Sequence, residues 1–82
     1  MDKLKAKQIV VNYVNLHRDI SYKPITKDDV YVVWFCKTLQ NFKALLITIM
    51  SNDMYYEVTF NGDKNEYYLD VYKKWENICI KE

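Results

Sequence analysis

The spacing of apolar residues changes once along the chain, from a helical period to the alternation of strands. Near the N-terminus, apolar side chains recur at steps of three and four residues, which predicts an amphipathic helix over residues 2–20 with Asp2 as its cap. Its apolar stripe comprises Ala6, Ile9, Val10, Tyr13, Val14, Leu16, His17 and Ile20. Residues 21–29, interrupted by Pro24, predict a loop.

The residues after this loop have the chemistry of a β-hairpin. Residues 30–39 (VYVVWFCKTL) are rich in β-branched and aromatic side chains, which predicts the first strand. Gln40-Asn41 predicts a two-residue turn into a second strand over residues 42–50. Residues 51–53 (SND) are typical of a turn and are expected to end this hairpin.

A second hairpin is predicted from a regular alternation. Residues 54–60 place apolar and polar side chains on opposite faces, and an Asn-Gly pair, a strong hairpin signal, follows them. A connecting loop with an even number of residues joins apolar positions to apolar positions, with Val58 opposite Tyr67. We therefore expect a four-residue loop at residues 61–64 and a fourth strand over residues 65–69.

The C-terminal segment has helical spacing. Asp70 is a favourable N-cap, and Val71, Trp75 and Ile78 follow it at helical intervals, which predicts a second helix over residues 70–80. The fold class is therefore α+β, a four-stranded antiparallel β-meander with an N-terminal and a C-terminal helix, in the order α-β-β-β-β-α. The length of 82 residues suits a single domain.

The first two strands are apolar on both faces, whereas an antiparallel sheet packed on one side normally alternates. Paired across Gln40-Asn41, one face carries Val32, Trp34 and Cys36 opposite Ile49, Ile47 and Leu45. The other carries Tyr31, Val33, Phe35 and Leu39 opposite Met50, Thr48, Leu46 and Phe42. Two helices can cover only one face of a four-stranded sheet, so the other face would be exposed. Exposed apolar patches of this kind mark interaction sites. Three arrangements stay open: the helices cover both faces, a second copy of the chain covers one, or a different partner does.

The net charge and the few reactive side chains argue against several classes of protein function. The formal net charge is +1, which lacks the basic excess of a typical nucleic-acid binder. One histidine and two cysteines, without metal-ligand or nucleophile spacing, predict no metal site, no cofactor and no enzyme activity. No apolar run is long enough to span a membrane and no signal peptide is recognisable, so a cytoplasmic location is expected. Cys36 and Cys79 are then expected to be reduced, as small core residues.

The candidate partner-binding surface is the second face of the sheet with its hairpin rim. Aromatic side chains are expected to anchor a partner there, and charged side chains to orient it. The predicted contact residues are Tyr31, Phe35, Lys37, Asn41, Phe42, Lys43, Glu57, Asn61 and Asp63. Glu57 and Glu66 are expected to face each other as a solvated rim. Because the third and fourth strands alternate in the ordinary way, the surface is expected to centre on residues 30–50.

Nucleic-acid binding is the alternative function. A sheet with exposed aromatic side chains and helices behind it is a platform on which bases can stack. Binding of the phosphate backbone would need a basic stripe, which Lys3, Lys5, Lys7, Lys73 and Lys74 would have to supply. The spacing of Lys3 and Lys7 instead fits the solvated side of an amphipathic helix, opposite the apolar stripe.

From Val30 onward the chain resembles a known family. The segments KTLQNFKAL and YYEVTFNGDK, within residues 30–80, are similar to those of a family of small uncharacterised proteins encoded by phages and prophages of Gram-positive bacteria. The resemblance implies a phage accessory protein in the cytoplasm of a bacterial host. Such a protein would bind a host or phage protein and inhibit a host or antiviral-defence component. The alternative in this setting is nucleic-acid binding in phage replication or transcription control.

Overall fold

The computed structural model describes residues 2–19, 21, 23–49, 51–76 and 78–82, and the side chains of all of these except residues 51–53. Helix α1 (Asp2–His17) is followed by one 3-10 turn (Lys27–Asp29) and by strands β1 (Val30–Thr38), β2 (Asn41–Thr48), β3 (Ser51–Asn61) and β4 (Glu66–Lys73). The strands form one antiparallel sheet in the order β1-β2-β3-β4. The predicted α+β meander with an N-terminal helix is thereby confirmed. The predicted positions Ile20 and Met50 lie outside the described residues.

Helix α1 covers one face of the sheet through its apolar stripe. Ala6 and Val10 are fully buried, and Val11 is nearly so. Beneath them the buried residues of the sheet are Val30, Phe42, Ala44, Leu46, Thr48, Tyr56 and Val58. Because removal of apolar area from water is the main favourable term in folding, this single helix–sheet interface carries most of the stability.

The segment between α1 and β1 is fastened to the helix by one side chain. Asn15 Nδ2 donates to the carbonyl oxygen of Ile25 at 3.0 Å, and Asn15 Oδ1 accepts from the Ile25 N–H at 2.8 Å. These two hydrogen bonds hold the Ile25 side chain in the core, where it is buried. The helix and the first strand therefore keep a fixed relative position.

No helix follows β4 in the described residues, so the prediction of a C-terminal helix is wrong. β4 continues through Asp70 to Lys73, and the described residues after it have no regular structure. The cause lies in β3, which begins at Ser51, inside the predicted turn, and therefore extends beyond the predicted strand. Its added length offers backbone partners to the end of β4, where Val71 pairs with Tyr56. Strand pairing thus outweighs the local helical spacing.

The loop of the second hairpin is residues 62–65, one residue later than the predicted 61–64. Its length is even, as predicted, but Val58 pairs with Leu69 instead of Tyr67. A shift of the pairing by two residues leaves every side chain on its own face. The predicted division of β3 into an apolar and a polar face is therefore correct despite the error in register.

A β-bulge in β1 decides which side chains face the helix. The register shifts between Val32 and Trp34, so Val33 has no directly paired residue on β2. Val32 and Phe35 consequently pack against the core beneath α1, while Tyr31 and Trp34 lie on the other face. The predicted regular alternation, which placed Tyr31 with Phe35 and Val32 with Trp34, is wrong because a bulge adds one residue and exchanges the faces beyond it.

The turn of the first hairpin is Leu39-Gln40 and not Gln40-Asn41, because Thr38 pairs with Asn41. Leu39 has a φ of 56°, in the left-handed region, and its side chain is 84% exposed. For a residue with a Cβ, this conformation costs about 1–2 kcal/mol. Leu39 therefore introduces strain without contributing buried area.

Leu39→Asn is expected to raise the free energy of unfolding by about 0.5–1 kcal/mol, because asparagine tolerates the left-handed region and no burial is lost. In a domain of this size, the melting temperature should rise by several degrees. Leu39→Ala is the matched control, since it removes the same side chain but retains the strain. Equal melting temperatures for the two variants in thermal denaturation would contradict the strain at Leu39.

Candidate functional site

The face of the sheet turned away from α1, here called the open face, carries large side chains on all four strands. Of the elements that the structure describes, only α1 packs on the sheet, and it lies on the opposite face. About half of the surface of Tyr31, Trp34, Tyr68 and Tyr72 is exposed, at 50–52%. The open face comprises Tyr31, Trp34, Cys36, Lys43, Leu45, Ile47, Tyr55, Glu57, Thr59, Glu66, Tyr68, Asp70 and Tyr72.

The half of the open face on β1 and β2 is mainly apolar. Tyr31 pairs with Ile47, and Trp34 pairs with Leu45, across the two strands. The bulged Val33 is also 55% exposed beside them. Cross-strand pairs of an aromatic and an aliphatic side chain stabilise each other and form a continuous surface. A contiguous apolar surface on a sheet face is the kind of patch that marks an interaction site.

The half on β3 and β4 combines tyrosines with carboxylates. Tyr55 pairs with Tyr72, and the next pair on the same face is Glu57 with Asp70. Two carboxylates directly opposite each other on a sheet repel and destabilise it. Tyr72 lies within reach of this pair, since its hydroxyl donates to Glu57 Oε1 over 3.4 Å.

The carboxylates on this half of the open face raise the pKa values of two tyrosine hydroxyls. The charge of Glu57 is the main cause that raises the pKa of Tyr72, with burial and Asp70 contributing less. The Tyr68 hydroxyl donates to Glu66 Oε2, and this hydrogen bond raises the pKa of Tyr68. Both phenols therefore remain neutral hydrogen-bond donors to a higher pH than an ordinary tyrosine does.

The cations of the open face stand at its margins. Lys43 on β2 pairs with Thr59 on β3, and Thr59 is the residue next to Glu57 on the same face of that strand. Lys74, which follows β4, places its Nζ 5.9 Å from the centre of the Tyr55 ring. Among the described side chains the one ion pair is Lys37 Nζ with Asp2 Oδ2, at 2.8 Å. Glu57 and Asp70 thus have no cationic partner in this part of the chain.

Three predicted contact residues, Phe35, Lys37 and Phe42, lie on the helix side of the sheet, so the prediction that they share a face with Tyr31 is wrong. Phe42 is buried, with its ring 5.4 Å from that of Phe35. Lys37 ties the start of α1 to β1 through its ion pair with Asp2. The misplacement follows from the bulge, which puts Tyr31 on the face opposite to Phe35. The displaced turn shifts the pairing by two residues and leaves the faces unchanged. Tyr31, Lys43 and Glu57 lie on the open face.

The remaining predicted contact residues hold the two hairpin turns together. Asn41 Oδ1 accepts a hydrogen bond from the N–H of Gly62 at 2.8 Å. Asp63 accepts one from Gln40 Nε2, while Asn61 Oδ1 accepts from the N–H of Asp63 at 3.1 Å. Asn41 and Asp63 therefore connect the two turns at one end of the open face, and Asn61 forms a hydrogen bond within the second hairpin.

The sequence reasoning missed the tyrosine half of the open face. The predicted surface centred on residues 30–50, whereas Tyr55, Tyr68 and Tyr72 extend the open face over β3 and β4. A signal was present: each tyrosine doublet in these two strands must place one ring on each face. Glu57 and Glu66 do not face each other, since Glu57 pairs with Asp70.

The cysteines and the end of the chain also differ from expectation. Cys36 and Cys79 are free and exposed, so their prediction as core residues is wrong. After β4, Trp75 is 92% exposed, and Ile78 and Ile80 are exposed as well. These side chains lack the sheet or helix against which an amphipathic segment would normally pack.

The described residues contain neither a metal-binding cluster nor a membrane-spanning helix. No group of three or more His, Cys, Asp or Glu side chains among them is arranged to hold a metal ion. The helix in the described part of the chain is too short and too polar to cross a membrane. The open face is therefore the surface on which a functional proposal can rest.

The chain belongs to the DUF6275 family, a family of unknown function, whose model matches residues 3–82. The expectation of an uncharacterised family is thereby confirmed, and the match includes α1, which the sequence resemblance did not cover. No curated protein and no solved structure matches the chain.

Proposed function

For this member of a family of unknown function, we propose a non-enzymatic role: the protein binds another protein through its open face. The observation that carries the proposal is the set of large aromatic and aliphatic side chains on the sheet face that no described element covers. Tyrosine and tryptophan are enriched at binding hot spots because they bury a large area for few rotatable bonds. Trp34 and Tyr31 are the expected anchors.

The biological setting that we propose is the cytoplasm of a Gram-positive bacterium that carries a phage or prophage. The protein would act there as a phage accessory protein that binds a host or phage protein and inhibits a host or antiviral-defence component. Support for this setting comes from the resemblance of residues 30–80 to phage-encoded proteins, and the geometry of the open face supports only the binding role.

The binding role is tested with Trp34→Ala. Tagged wild-type protein would be used to isolate partners from infected and uninfected Gram-positive lysates, and the purified partner titrated against both forms. Loss of a central aromatic anchor is expected to weaken binding about 30-fold, or about 2 kcal/mol. Leu16→Ala, which removes an exposed side chain from α1, is the matched control and should bind like wild type.

The outcome depends on affinity and folding together. Trp34→Ala should lower the melting temperature by several degrees but remain fully folded at the temperature of the binding assay, since about half of this side chain is already in solvent. A partner whose affinity is the same for Trp34→Ala and Leu16→Ala would contradict binding through the open face. Recovery of no specific partner from either lysate would count against the binding role itself.

Nucleic-acid binding, the alternative, has less support from the charges on the open face. A phosphate backbone that crosses the tyrosines would approach Glu57, Glu66 and Asp70, which repel it. Lys3 and Lys5 lie over the rings of Phe35 and Tyr67, on the helix side of the sheet. Affinity for single-stranded RNA or DNA that falls steeply with salt would favour this alternative.

A further inference from the structure

The chemistry of the partner can be inferred from the division of the open face, provided that this face binds a protein as proposed above. On β1 and β2, Trp34 and Leu45 offer an apolar surface. On β3 and β4, the Glu57–Asp70 pair offers two carboxylates. The pair before it on the same face is Tyr55 with Tyr72, and the pair after it includes Tyr68. A complementary partner must therefore present apolar side chains and positive charge a short distance apart.

The Glu57–Asp70 pair concentrates negative charge on one part of the open face. Glu57 and Asp70 are directly opposite each other, and no described side chain forms an ion pair with either. Like charges in this arrangement destabilise a sheet. The negative potential is also felt by Tyr72, whose pKa is raised mainly by Glu57. A cation placed between the carboxylates would be attracted to both of them.

The tyrosines around the pair favour a cation as well. The face of an aromatic ring attracts a cation within about 6 Å of its centre. The Nζ of Lys74 occupies this position over Tyr55, at 5.9 Å, so one ring of the cluster already holds a positive charge. Tyr72, paired with Tyr55, and Tyr68 lie on the same face beside the carboxylates.

A second copy of the chain fits this face poorly. Two copies stacked through their open faces would enclose two Glu57–Asp70 pairs, and thus four carboxylates, between the sheets. The two copies would also bring two Glu66 side chains and only four lysines, two each of Lys43 and Lys74, so negative charge would remain in excess. Enclosing charges without close partners costs several kcal/mol per ion. The occupant must therefore bring its own cation.

We propose that the open face takes a polypeptide segment that presents an arginine side chain to Glu57 and Asp70 and apolar side chains to Trp34 and Leu45. Arginine suits the site better than lysine for two physical reasons. Its planar guanidinium can donate to two carboxylates at once, and it stacks on tyrosine rings.

The test is selection from a displayed library of short random peptides, with wild-type protein as the target. Selected peptides are expected to be enriched in arginine close to aromatic or aliphatic residues. The double variant Glu57→Gln/Asp70→Asn should bind them at least 10-fold more weakly. Asp19→Asn/Asp28→Asn is the matched control, because it makes the same change in net charge at exposed positions between α1 and β1 and should bind within twofold of wild type.

Two further measurements separate this inference from the proposed function. The double variant should melt at or slightly above the temperature of wild type, because it removes a repulsion, so weak binding cannot arise from unfolding. Peptides that lose affinity with Trp34→Ala but lack basic residues and bind the double variant normally would overturn the arginine inference alone. Peptides that are insensitive to both Trp34→Ala and the double variant, or a selection that yields none, would overturn both. A dimer in sedimentation equilibrium that Trp34→Ala dissociates would identify a second copy as the occupant and overturn the arginine inference.

Discussion

Leu46→Ala is expected to lower the free energy of unfolding by about 3–4 kcal/mol, whereas Leu45→Ala should lower it by about 1 kcal/mol. The two leucines are adjacent in β2 but face opposite sides of the sheet. Leu46 is fully buried beneath α1, between Val32 on β1 and Tyr56 on β3. Alanine there leaves a cavity that the central strand cannot close. Leu45 lies on the open face, where water already reaches the side chain.

Chemical denaturation of both variants measures this difference. The total stability of an 82-residue domain is on the order of 4–12 kcal/mol, so Leu46→Ala is expected to leave a marginally folded protein. Leu46→Val and Leu45→Val form a milder matched pair that should keep the same order. Equal losses for Leu45 and Leu46, or a larger loss for Leu45, would contradict the assignment of faces in β2. Lost binding in Leu45→Ala, with a loss of stability of only about 1 kcal/mol, would support the open face as the binding surface.

The helix and the paired strands could be predicted because each depends on a periodic signal. In α1, Ala6 and Val10 recur at the helical interval and are both buried. In β3, the alternation of Tyr56 and Val58 with Glu57 and Thr59 identifies the core side without knowledge of the partner strand. Because the loop has an even number of residues, the side chains of β4 lie on the predicted faces, although the observed pairing differs from the predicted one by two residues.

The bulge at Val33 left no comparable signal in the sequence. The residues around it are all apolar, so the pattern reads as apolar on both faces whether one residue is inserted or not. The face of Tyr31 relative to Phe35 depends on that single residue. The predicted binding surface was therefore divided between the two sides of the sheet, with Phe35 and Phe42 in contact beneath α1.

The end of β4 was ambiguous for a different reason. The residues after Leu69 satisfy a helix N-cap with helical spacing, and they also satisfy strand alternation with Val71 inward and Tyr72 outward. Local sequence cannot separate these alternatives, because the outcome depends on how far β3 extends as a pairing partner. Since β3 begins at Ser51, the strand is formed and Tyr72 joins the open face.

The second large effect is expected at Gly62, where alanine should lower the free energy of unfolding by about 2–3 kcal/mol. A Cβ added at Gly62 would overlap the carbonyl oxygen and Cγ of Gln40 and would lie 2.7 Å from its Cβ. The loop of the second hairpin approaches the turn of the first this closely because the Gly62 N–H donates to Asn41 Oδ1 at 2.8 Å. Substitution must therefore separate the two turns and break this hydrogen bond.

Two controls isolate the close approach as the cause. Lys64→Ala, in the same loop and exposed, should change the stability by less than about 0.5 kcal/mol. Gln40→Ala combined with Gly62→Ala should not restore stability, because the Gln40 carbonyl oxygen belongs to the backbone and remains in place. Full recovery in the double variant would show that only the flexible Gln40 side chain obstructs the added Cβ. Without recovery, the turn contact is a backbone constraint, and it fixes the relative position of β2 and β3 at the end of the open face where Lys43 pairs with Thr59.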